Sequence, residues 1–378
     1  MEIVTLVLLI FGAVLLQNFI FNRYVFHKLN YRCQFSSQEA HEGDHIFLVE
    51  TVENRKLLPV PWLKVDIHSS VWLDFAKTSS VVAQETRRVT SCFFLKSRQK
   101  TVRQWKLQCL KRGVFNTENV TLVSGDLLGL RRNSVAVKVE ANLVVYPEII
   151  DLDDLFVPAR QLQGDAIVKR WIIEDPFIIS GTREYFPSDP MNRIHWPSSA
   201  KVGEWRVRKN DFTSQMSMDV ILNVQSMEFE YGGAVYKDRI ELGIKAAATL
   251  LDRALRDGIP ARLSVNESVS ELDEKTTVTG LSAGKDHVSD LLNILARLRM
   301  KSGMEFGGFL REVQPQVENS DVFIITGYVS QDLQESVQAL RTRGNQVKVI
   351  LLDKDLDPYG EYGMLDVYFP VGEVALHG

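Results

Sequence analysis

Residues 321–352 read DVFIITGYVSQDLQESVQALRTRGNQVKVILL, and this stretch decides the fold class of the C-terminal half. Asp321–Thr326 is an apolar run of strand length. Asp332–Arg343 carries leucine and valine at helical spacing and ends before Gly344, a usual helix stop. Gln346–Leu352 is a second apolar run. A strand, a helix and a strand in this order predict a parallel βαβ unit.

The same alternation of short apolar runs and helical periods extends over residues 216–378. Further strands are predicted at Met218–Val224, Ala261–Val265 and Val367–Phe369, and further helices at Lys237–Asp257 and Lys285–Leu298. We therefore predict a doubly wound α/β domain, in which helices cover a parallel sheet. Ligands of such sheets bind at the carboxyl ends of the strands, which here means just after Leu222 and just after Ile325.

Residues 34–146 show a different period. Apolar and polar residues alternate in Trp105–Cys109, which is typical of a half-buried strand. Similar short runs occur at Ile46–Val52, Trp62–Ile67, Asn119–Val123 and Val135–Val139, with turn residues between them. Several short strands at this spacing predict an antiparallel β-sandwich. The expected organisation is an anchor at 1–22, a sandwich at 34–146, a connecting segment at 147–215 and an α/β domain at 216–378.

The segment Ile3–Phe21 contains no charged residue and is long enough to cross a membrane. As a helix it would span about 28 Å, close to the hydrocarbon thickness of a bilayer. A cleavable signal peptide is the alternative, but it requires a basic start and a small-residue cleavage site. Because the charge before this run is Glu2, a retained transmembrane helix through residues 3–21 is the favoured interpretation.

Three basic residues, Arg23, Lys28 and Arg32, follow the apolar run. Basic residues concentrate on the cytoplasmic side of membrane helices. We therefore expect a single-pass protein of the cell membrane, with its N-terminus outside and its C-terminal domains in the cytoplasm.

The composition argues against several functional classes. The 378 residues include 44 Lys and Arg against 48 Asp and Glu, and the net charge of −4 argues against a nucleic-acid coat protein. Cys33, Cys92 and Cys109 form no C-x-x-C pair and no Cys–His cluster, which argues against a disulfide framework or a zinc finger. A reducing compartment agrees with the predicted orientation.

Residues 181–211, GTREYFPSDPMNRIHWPSSAKVGEWRVRKND, lie between the two regions and hold the most unusual side chains of the chain. The candidate functional residues are Arg183, Tyr185, Asp189, Arg193, His195, Trp196 and Lys201. Asp189 and Arg193 are close enough in sequence for an ion pair in a turn. Trp196 and Trp205 are expected to bury a large area against the neighbouring sheet. The segment is either a self-satisfied polar strap beside the α/β domain or a binding surface for a partner or ligand.

The pattern R-x-Y-x-x-x-D-x-x-x-R-I-x-W-x-x-S-A-K, from Arg183 to Lys201, resembles the signature of the bacterial family called domain of unknown function 58. The runs KRGVF, SGDLLGL and VVYP earlier in the chain resemble further features of that family. The resemblance implies a C-terminal domain similar to von Willebrand factor A domains and an association with MoxR-type AAA+ ATPases. The chain departs from the family at Ser188, His195 and Lys201, where Gly, Asp and Arg are usual, and one span is predicted where two are typical.

The von Willebrand factor A resemblance also raises the question of a metal. Such domains place D-x-S-x-S after the first strand and bind a divalent cation through hard oxygen ligands. The matching positions here are Asn223, Gln225 and Met227, and the later strand ends in Thr326-Gly327. Because no carboxylate remains and a thioether is not a hard ligand, we predict a degenerate site without a metal, and no cofactor.

Three further motif matches lack the context that their chemistry needs. His41–His45 is a literal H-E-x-x-H, but zinc proteases need a helix there, and Gly43-Asp44 predicts a turn. Gly280–Lys285 has one residue too few for a phosphate loop, and Asp286 follows it, so we predict a helix entry. Ser198–Lys201 matches S-x-x-K without the companion motifs of penicillin-recognising enzymes.

From these patterns we expect a non-enzymatic, membrane-anchored adaptor. The exposed carboxyl end of the sheet would bind a partner protein, which the resemblance implies is a MoxR-type AAA+ ATPase. The candidate partner-binding residues are Asn223, Gln225, Ser226, Thr326 and Gly327. The segment from Arg183 to Lys201 would brace the two folded regions.

Two alternatives to an adaptor remain open at this point. The first is a membrane-bound hydrolase of envelope or lipid-linked substrates, with His195, Asp189 and Ser198 or Ser199 near a cleft. The second is a structural envelope protein that associates with itself.

Overall fold

The structure is a computed structural model. It describes residues 2–76, 80–83, 86–127, 129, 131–158, 181–184, 194–209, 217–230, 233–269, 275–354 and 365–370. The chain forms two compact units, which divide between Glu148 and Ile149. The first unit contains the apolar helix and the β-rich region, and the second contains alternating strands and helices.

The chain begins with helix α1, Glu2–Tyr24. Residues Ile3–Tyr24 are long and apolar enough to cross a membrane. The helix is continuous because its long apolar side chains lose little freedom in a helix and no proline interrupts it. The end of α1 packs against the rest of the first unit, since Phe21 is 5% exposed and Val25, just after the helix, is 1% exposed.

Short strands joined by turns make up the rest of the first unit. In the described part of the chain they are β1 (Leu29–Phe35), β2 (Glu39–His41), β3 (His45–Asn54), β4 (Val60–Ser70), β5 (Leu73–Phe75), β6 (Ser80–Ala83), β7 (Thr86–Leu95), β8 (Lys100–Cys109), β9 (Gly113–Gly125) and β10 (Arg132–Tyr146). Each strand predicted from the period of two lies within one of these longer strands. The β-rich region is therefore confirmed.

These strands form two sheets that share one apolar core. The strand orders are β1-β3-β8-β5 and β2-β10-β9-β4-β7-β6. Pairing is antiparallel apart from the parallel pair β2 and β10. Side chains alternate between core and surface, as in β3, where every second residue from Ile46 to Asn54 is buried.

A buried carboxylate lies inside this core. Glu50 is 0% exposed, and its Oε1 accepts hydrogen bonds from the Tyr31 hydroxyl and from Ser91 Oγ, each at 3.0 Å. Trp105 Nε1 donates to its other oxygen. Because burying a charge without partners is costly, these donors are what makes Glu50 tolerable in the core.

The described elements of the second unit alternate along the chain. In order they are α2 (Leu152–Leu155), β11 (Phe156–Pro158), β12 (Gly181–Glu184), α3 (Trp196–Val202), β13 (Arg206–Lys209), β14 (Ser217–Leu222), α4 (Lys237–Arg256), β15 (Ala261–Val265), β16 (Thr277–Val278), α5 (Lys285–Arg297), α6 (Phe306–Val313), β17 (Ser320–Thr326), α7 (Gln331–Thr342), β18 (Gln346–Leu351) and β19 (Asp366–Pro370). The strands and helices predicted from residue 218 onward agree with these bounds within two residues. Helix α6 is not predicted, because it is short and contains Gly307 and Gly308.

The main sheet of this unit has the order β11-β19-β18-β17-β14-β15-β16. The strands from β19 to β15 are parallel to their neighbours, and β11 and β16 pair antiparallel at the two edges. The parallel pairing predicted from the βαβ pattern is confirmed. Strands β12 and β13 form a separate antiparallel pair.

Helix α4 packs closely on this sheet. A Cβ at Gly243 would lie 2.7 Å from Leu352 Cδ1 and 3.2 Å from Ile325 Cγ2, so a larger residue would require these side chains to shift. The close contact brings the first turn of α4 beside the carboxyl ends of the central strands. The loops of the candidate site lie at that edge.

Candidate functional site

The carboxyl edge of the central strands brings together polar residues from three loops. Asn223 follows β14, Asn266 follows β15, and Thr326 ends β17. They meet because these strands are parallel and their last residues lie in register. The carboxyl-end rule predicts Asn223 and Thr326 here, and the same rule applied to β15 would have found Asn266.

Asn223 is fully buried, and its amide is satisfied on both sides. Its Nδ2 donates to Thr326 Oγ1 at 3.0 Å. Its Oδ1 accepts the Gln225 N–H at 2.9 Å and Asn266 Nδ2 at 3.0 Å. The side chain therefore ties the loop after β14 to the ends of both neighbouring strands.

Gln225 and Asn266 extend this amide network. Gln225 Oε1 accepts the Phe306 N–H at 2.9 Å, at the start of α6, and its Nε2 donates to the Glu230 carbonyl at 2.8 Å. Asn266 Oδ1 accepts the Val224 N–H at 2.8 Å. Because the amides bond to one another and to backbone groups, the network is closed on itself.

The carboxylate of Glu230 joins two described parts of the loop between β14 and α4, residues 226–230 and 233–236. It accepts hydrogen bonds from the Ser226 N–H at 2.6 Å, from Ser226 Oγ at 2.9 Å and from the Val235 N–H. Ser226 Oγ accepts the Tyr236 N–H at 3.0 Å, beside the N-terminus of α4. Glu230 is missed by sequence reasoning, because a loop carboxylate has no periodic signal.

The expectation that this edge is exposed is wrong for its central residues. Asn223, Gln225, Ser226 and Thr326 are at most 3% exposed, and Gly327 is buried as well. A Cβ at Gly327 would lie 2.5 Å from the Ser226 carbonyl oxygen, so glycine lets the two loops touch. These side chains hold the loops together and do not themselves form a contact surface.

The residues at the cation-site positions do not fit a divalent cation. A cation needs hard oxygen ligands with free lone pairs, usually including carboxylates. Asn223 Oδ1 and Gln225 Oε1 are engaged by N–H donors, and Met227 offers a thioether. The Glu230 carboxylate in the same loop already accepts its own donors. The arrangement stabilises loops and provides no ligand set.

Next to the buried network, the same loop exposes apolar side chains. Phe229 is 73% exposed, Val235 60%, Tyr236 46% and Met227 37%. Phe229 also has a φ of 59°. A left-handed backbone costs a bulky residue about 1 kcal/mol. The Glu230 hydrogen bonds therefore hold an aromatic side chain at the surface at the expense of local strain.

Carboxylates surround Tyr328 at this edge. Burial raises the pKa of Tyr328 to about 12, the hydrogen bond with Asn223 opposes the rise, and Glu305, Glu228 and Glu230 add to it. The charges of three carboxylates therefore act on one phenol at this edge.

The signature residues are distributed over two short elements. Arg183 lies on β12 and pairs with Val207 of β13. Tyr185, Asp189 and Arg193 lie outside the described residues, and so does the ion pair expected between Asp189 and Arg193.

His195 is the N-cap of α3. Its Nδ1 lies 2.7 Å from Ser198 Oγ and accepts the Ser198 N–H at 3.2 Å, which is a helix-capping arrangement. Ser199 Oγ donates to the His195 carbonyl at 3.0 Å and accepts the Arg206 N–H at 2.8 Å. Ser198 thus stabilises the start of α3, and Ser199 joins α3 to β13.

The expected burial of Trp196 and Trp205 is wrong. Trp196 is 63% exposed and Trp205 is 51% exposed, and Val202 on the same helix is 52% exposed. Lys201 is exposed as well. The expectation that they are buried came from the high average burial of large aromatic side chains in proteins.

The weaker motif matches fall in the predicted settings. His41 ends β2 and His45 begins β3, and the turn between them contains Gly43 with a φ of 91°. The His41 N–H donates to Asp44 Oδ2 at 2.8 Å, which closes the turn. Gly284 caps the N-terminus of α5, so the Gly280–Lys285 stretch is a helix entry.

Comparison with known proteins gives a family but little further detail. The chain is 21% identical over 327 residues to the uncharacterized protein YeaD of Bacillus subtilis (strain 168), covering 86% of this chain and 76% of that protein. A non-cellulosomal cohesin from the hyperthermophilic archaeon Archaeoglobus fulgidus is 15% identical over 32% of this chain and 91% of that chain, with a TM-score of 0.20. Spo0M, a sporulation control protein from Bacillus subtilis, is 12% identical over 30% of this chain and 49% of that chain, with a TM-score of 0.18. Scores this low carry no argument about the fold.

The family assignment rests on the second unit. Residues 181–368, from β12 into β19, match the family described as protein of unknown function DUF58. This range contains the signature pattern and the network at the carboxyl edge. Through this segment the chain belongs to the DUF58 family.

Proposed function

We propose that the protein is a membrane-anchored adaptor that binds a partner protein through the loop residues 226–230 and 233–236. One observation carries this proposal: Phe229 is held at the surface by a strained backbone and by the buried Glu230 hydrogen bonds. A rigid exposed aromatic side chain is typical of an interface anchor, because little conformational entropy is lost on binding. The neighbouring Val235 and Tyr236 enlarge the apolar surface.

The second unit is, in this proposal, a doubly wound domain similar to von Willebrand factor A domains. The order of its parallel strands and the position of the network after β14 support the comparison. The amides of Asn223, Gln225 and Asn266 take the place of a cation site. Docking would then depend on loop shape and apolar contact, without a metal.

The first unit, an antiparallel sandwich in this proposal, would follow a retained anchor. Val25 is buried in its core, and Lys56 Nζ donates to the Val25 carbonyl at 2.8 Å. Cleavage of α1 as a signal sequence would remove a helix whose end is part of the folded unit. The basic residues Arg23, Lys28 and Arg32 support a cytoplasmic location for both units.

The partner that we propose is a MoxR-type AAA+ ATPase, as the family resemblance implies. The acidic surroundings of Tyr328 favour a partner surface with basic residues around an apolar pocket. The ATPase would supply energy, and this chain would supply membrane location or the choice of client. The exposed Trp196 at the start of α3 and Trp205 after its end are further apolar surface that could contact the client or the ATPase.

The test is co-purification of the tagged full-length protein from detergent-solubilised membranes, with the bound proteins identified by mass spectrometry. We expect an AAA+ ATPase in stoichiometric amount with the wild type and its loss with Phe229→Asp. Loss of one aromatic anchor costs about 2 kcal/mol or more, roughly 30-fold in affinity. Phe94→Asp is the matched control, since Phe94 is 75% exposed on β7 of the first unit.

Two outcomes contradict the proposal. If Phe229→Asp retains the ATPase at the wild-type level, the loop is not the docking surface. If the wild type purifies without any ATPase, the adaptor role is wrong, and oligomers of the chain alone would favour a self-associating structural protein.

One observation supports the hydrolase alternative. Ser198 Oγ lies 2.7 Å from His195 Nδ1, a distance that a nucleophile and its base would need. The capping bond from the Ser198 N–H to the same nitrogen explains this contact without catalysis. A hydrolase requires that His195→Ala abolish turnover of an envelope or lipid-linked substrate at unchanged stability, whereas a cap predicts lower stability and no other effect.

A further inference from the structure

The end of α1 is fastened to the first unit by two loops. Lys56, between β3 and β4, donates from Nζ to the Val25 carbonyl at 2.8 Å. Asn133, at the start of β10, donates from Nδ2 to the Asn22 carbonyl at 3.3 Å and to the Asn22 side-chain oxygen at 2.6 Å. The helix therefore leaves the first unit at a fixed place.

A third loop, between β7 and β8, joins the first. The Arg98 N–H donates to the Lys56 carbonyl at 3.1 Å. Asn54 Nδ2 donates to the carbonyls of Leu58 and Lys96, at 3.0 and 2.9 Å. The β3–β4 loop, the β7–β8 loop and the start of β10 thus lie together around the end of α1. We call residues 22–28, 53–59, 96–100, 126–127, 129 and 131–133 the collar.

The collar is strongly basic. Its exposed basic side chains are Arg23, Lys28, Arg55, Lys96, Arg98, Lys100, Arg131 and Arg132. Its two acidic residues are engaged, because Glu53 pairs with Arg55 at 2.8 Å and buried Asp126 accepts the Arg131 N–H at 2.9 Å. The whole chain has a net charge of −4, so positive charge is concentrated at this end.

Exposed apolar side chains lie among these basic residues. Leu57 is 72% exposed in the β3–β4 loop, and Leu127 is 56% exposed after β9. Tyr24, at the end of α1, is 47% exposed. Leucines flanked by Lys and Arg are typical of segments at the boundary between headgroups and acyl chains, and tyrosine is enriched at the same depth.

The length of the apolar helix sets the depth of the collar. Ile3–Phe21 spans about 28 Å, which fills the hydrocarbon layer. Asn22 and Val25, the residues that the collar holds, then fall at the hydrocarbon boundary. The headgroup layer beyond it is only about 5–8 Å thick. Side chains as long as Arg98 and Arg132 reach lipid phosphates from there.

We propose that the collar binds the headgroups of anionic phospholipids in the leaflet where α1 ends, an inference that rests on α1 being a membrane anchor. The ligand chemistry is a phosphodiester in a headgroup of net negative charge, contacted by guanidinium and ammonium groups. Binding seats the two-sheet unit directly on the bilayer surface.

The experiment uses the full-length protein in nanodiscs of phosphatidylcholine alone or with one third phosphatidylglycerol. A fluorescent dye is attached through Leu57→Cys in the Cys92→Ser background, because Cys92 is exposed while Cys33 and Cys109 are buried. Burial raises the pKa of the Cys33 thiol to about 12 and of the Cys109 thiol to about 11, so neither competes for the dye. A lipid with a nitroxide on its headgroup quenches any dye that touches the bilayer surface.

We expect quenching in the anionic discs to be about threefold or more stronger than in the neutral discs, since each basic residue adds to attraction by an anionic surface. The double variant Arg98→Glu/Arg132→Glu should reduce quenching to the neutral level. The matched control is Lys106→Glu/Lys138→Glu, two exposed lysines six residues beyond Lys100 and Arg132 on β8 and β10, roughly 20 Å from the collar. The control should leave quenching unchanged.

Equal quenching in both kinds of disc would overturn the anionic preference, and no quenching in either would overturn contact of the collar with the bilayer. Alkaline carbonate extraction of native membranes separates this inference from the anchor proposal. If carbonate releases the protein, the anchor is wrong. If the protein stays in the membrane and the dye is not quenched, only the collar is wrong.

Discussion

Replacing Asn223 with Asp puts a carboxylate where the structure holds a buried amide. The two hydrogen bonds that Oδ1 accepts, from the Gln225 N–H and Asn266 Nδ2, are retained. The bond from Nδ2 to Thr326 Oγ1 is lost, because that position becomes an acceptor. Thr326 already donates its hydroxyl hydrogen to the Tyr328 carbonyl at 3.1 Å, so it cannot satisfy the new oxygen without giving up that bond. The Tyr328 hydroxyl, which hydrogen-bonds with Asn223, can offset only part of the new charge.

The magnitude follows from these contacts. One lost hydrogen bond costs about 1 kcal/mol, and an uncompensated charge at a fully buried position costs about 2–3 kcal/mol more after the retained donors offset part of it. The free energy of unfolding of the second unit should fall by about 3–4 kcal/mol. For a unit of this size, that lowers the melting temperature by about 10 °C.

The same charge gives the loss a pH dependence. Burial raises the pKa of a carboxyl group, so the folded variant binds more protons than the unfolded one. Stability therefore falls as pH rises through the range above the ordinary carboxyl pKa of about 4. The loss should be larger near neutral pH than in mild acid.

The assay is thermal unfolding of the full-length variant in detergent, in mild acid and at neutral pH, with and without millimolar Mg²⁺. Asn293→Asp is the matched control, because Asn293 accepts from Arg297 Nε at 2.7 Å on an exposed face and the change strengthens that pair. We expect this control to remain within about 0.5 kcal/mol of the wild type. Wild-type stability of Asn223→Asp, or a rise in the melting temperature of the wild type with Mg²⁺, would refute the reasoning about the network.

Three further predictions concern single positions. Phe229→Gly should raise stability by about 1 kcal/mol in denaturant unfolding, because glycine relieves the φ of 59°; a loss would mean that the aromatic ring packs on the fold. Tyr31→Phe should lower the stability of the first unit by about 2 kcal/mol, because Glu50 loses a buried donor, and an unchanged denaturation midpoint would contradict this role. Burial lowers the pKa of Lys56 to about 8 from an unfolded value of 10.5, so the cost of its buried charge is present below pH 8 and is relieved as pH rises towards 10.5. The wild type should therefore gain stability relative to Lys56→Met across that range, and parallel pH profiles would show that Lys56 is not desolvated.

Local patterns were sufficient for most elements of the second unit. Strand β15 is observed where the apolar run predicts it, at Ala261–Val265, because a short apolar run between a helix stop and polar residues has few alternatives. The parallel order then placed Asn223 and Thr326 at one edge. Helix α6 escaped prediction because its start depends on a cap by the Glu305 carboxylate and on Gly307, where a Cβ would clash with Asp332 of α7.

The position of the candidate site in the fold could be predicted from the sequence, but the burial of its residues could not. Sequence reasoning found Asn223 and Gln225 and expected an exposed contact surface, whereas both are buried in a closed network. It expected Trp196 to be buried, whereas the side chain is 63% exposed. Burial depends on what other segments cover a residue, and no local pattern contains that information.

Local sequence was sufficient for the apolar helix, for the change of period between the two regions and for the parallel direction of the central strands, because each depends on residues that are neighbours along the chain. The position of Phe229 beside Glu230 and the basic collar around the end of α1, in contrast, arise only in the folded chain. The collar depends on contacts such as Asn133 with Asn22, which are 111 residues apart. Clusters of charge and the burial of polar groups arise from such distant pairings, which form only when the chain has folded.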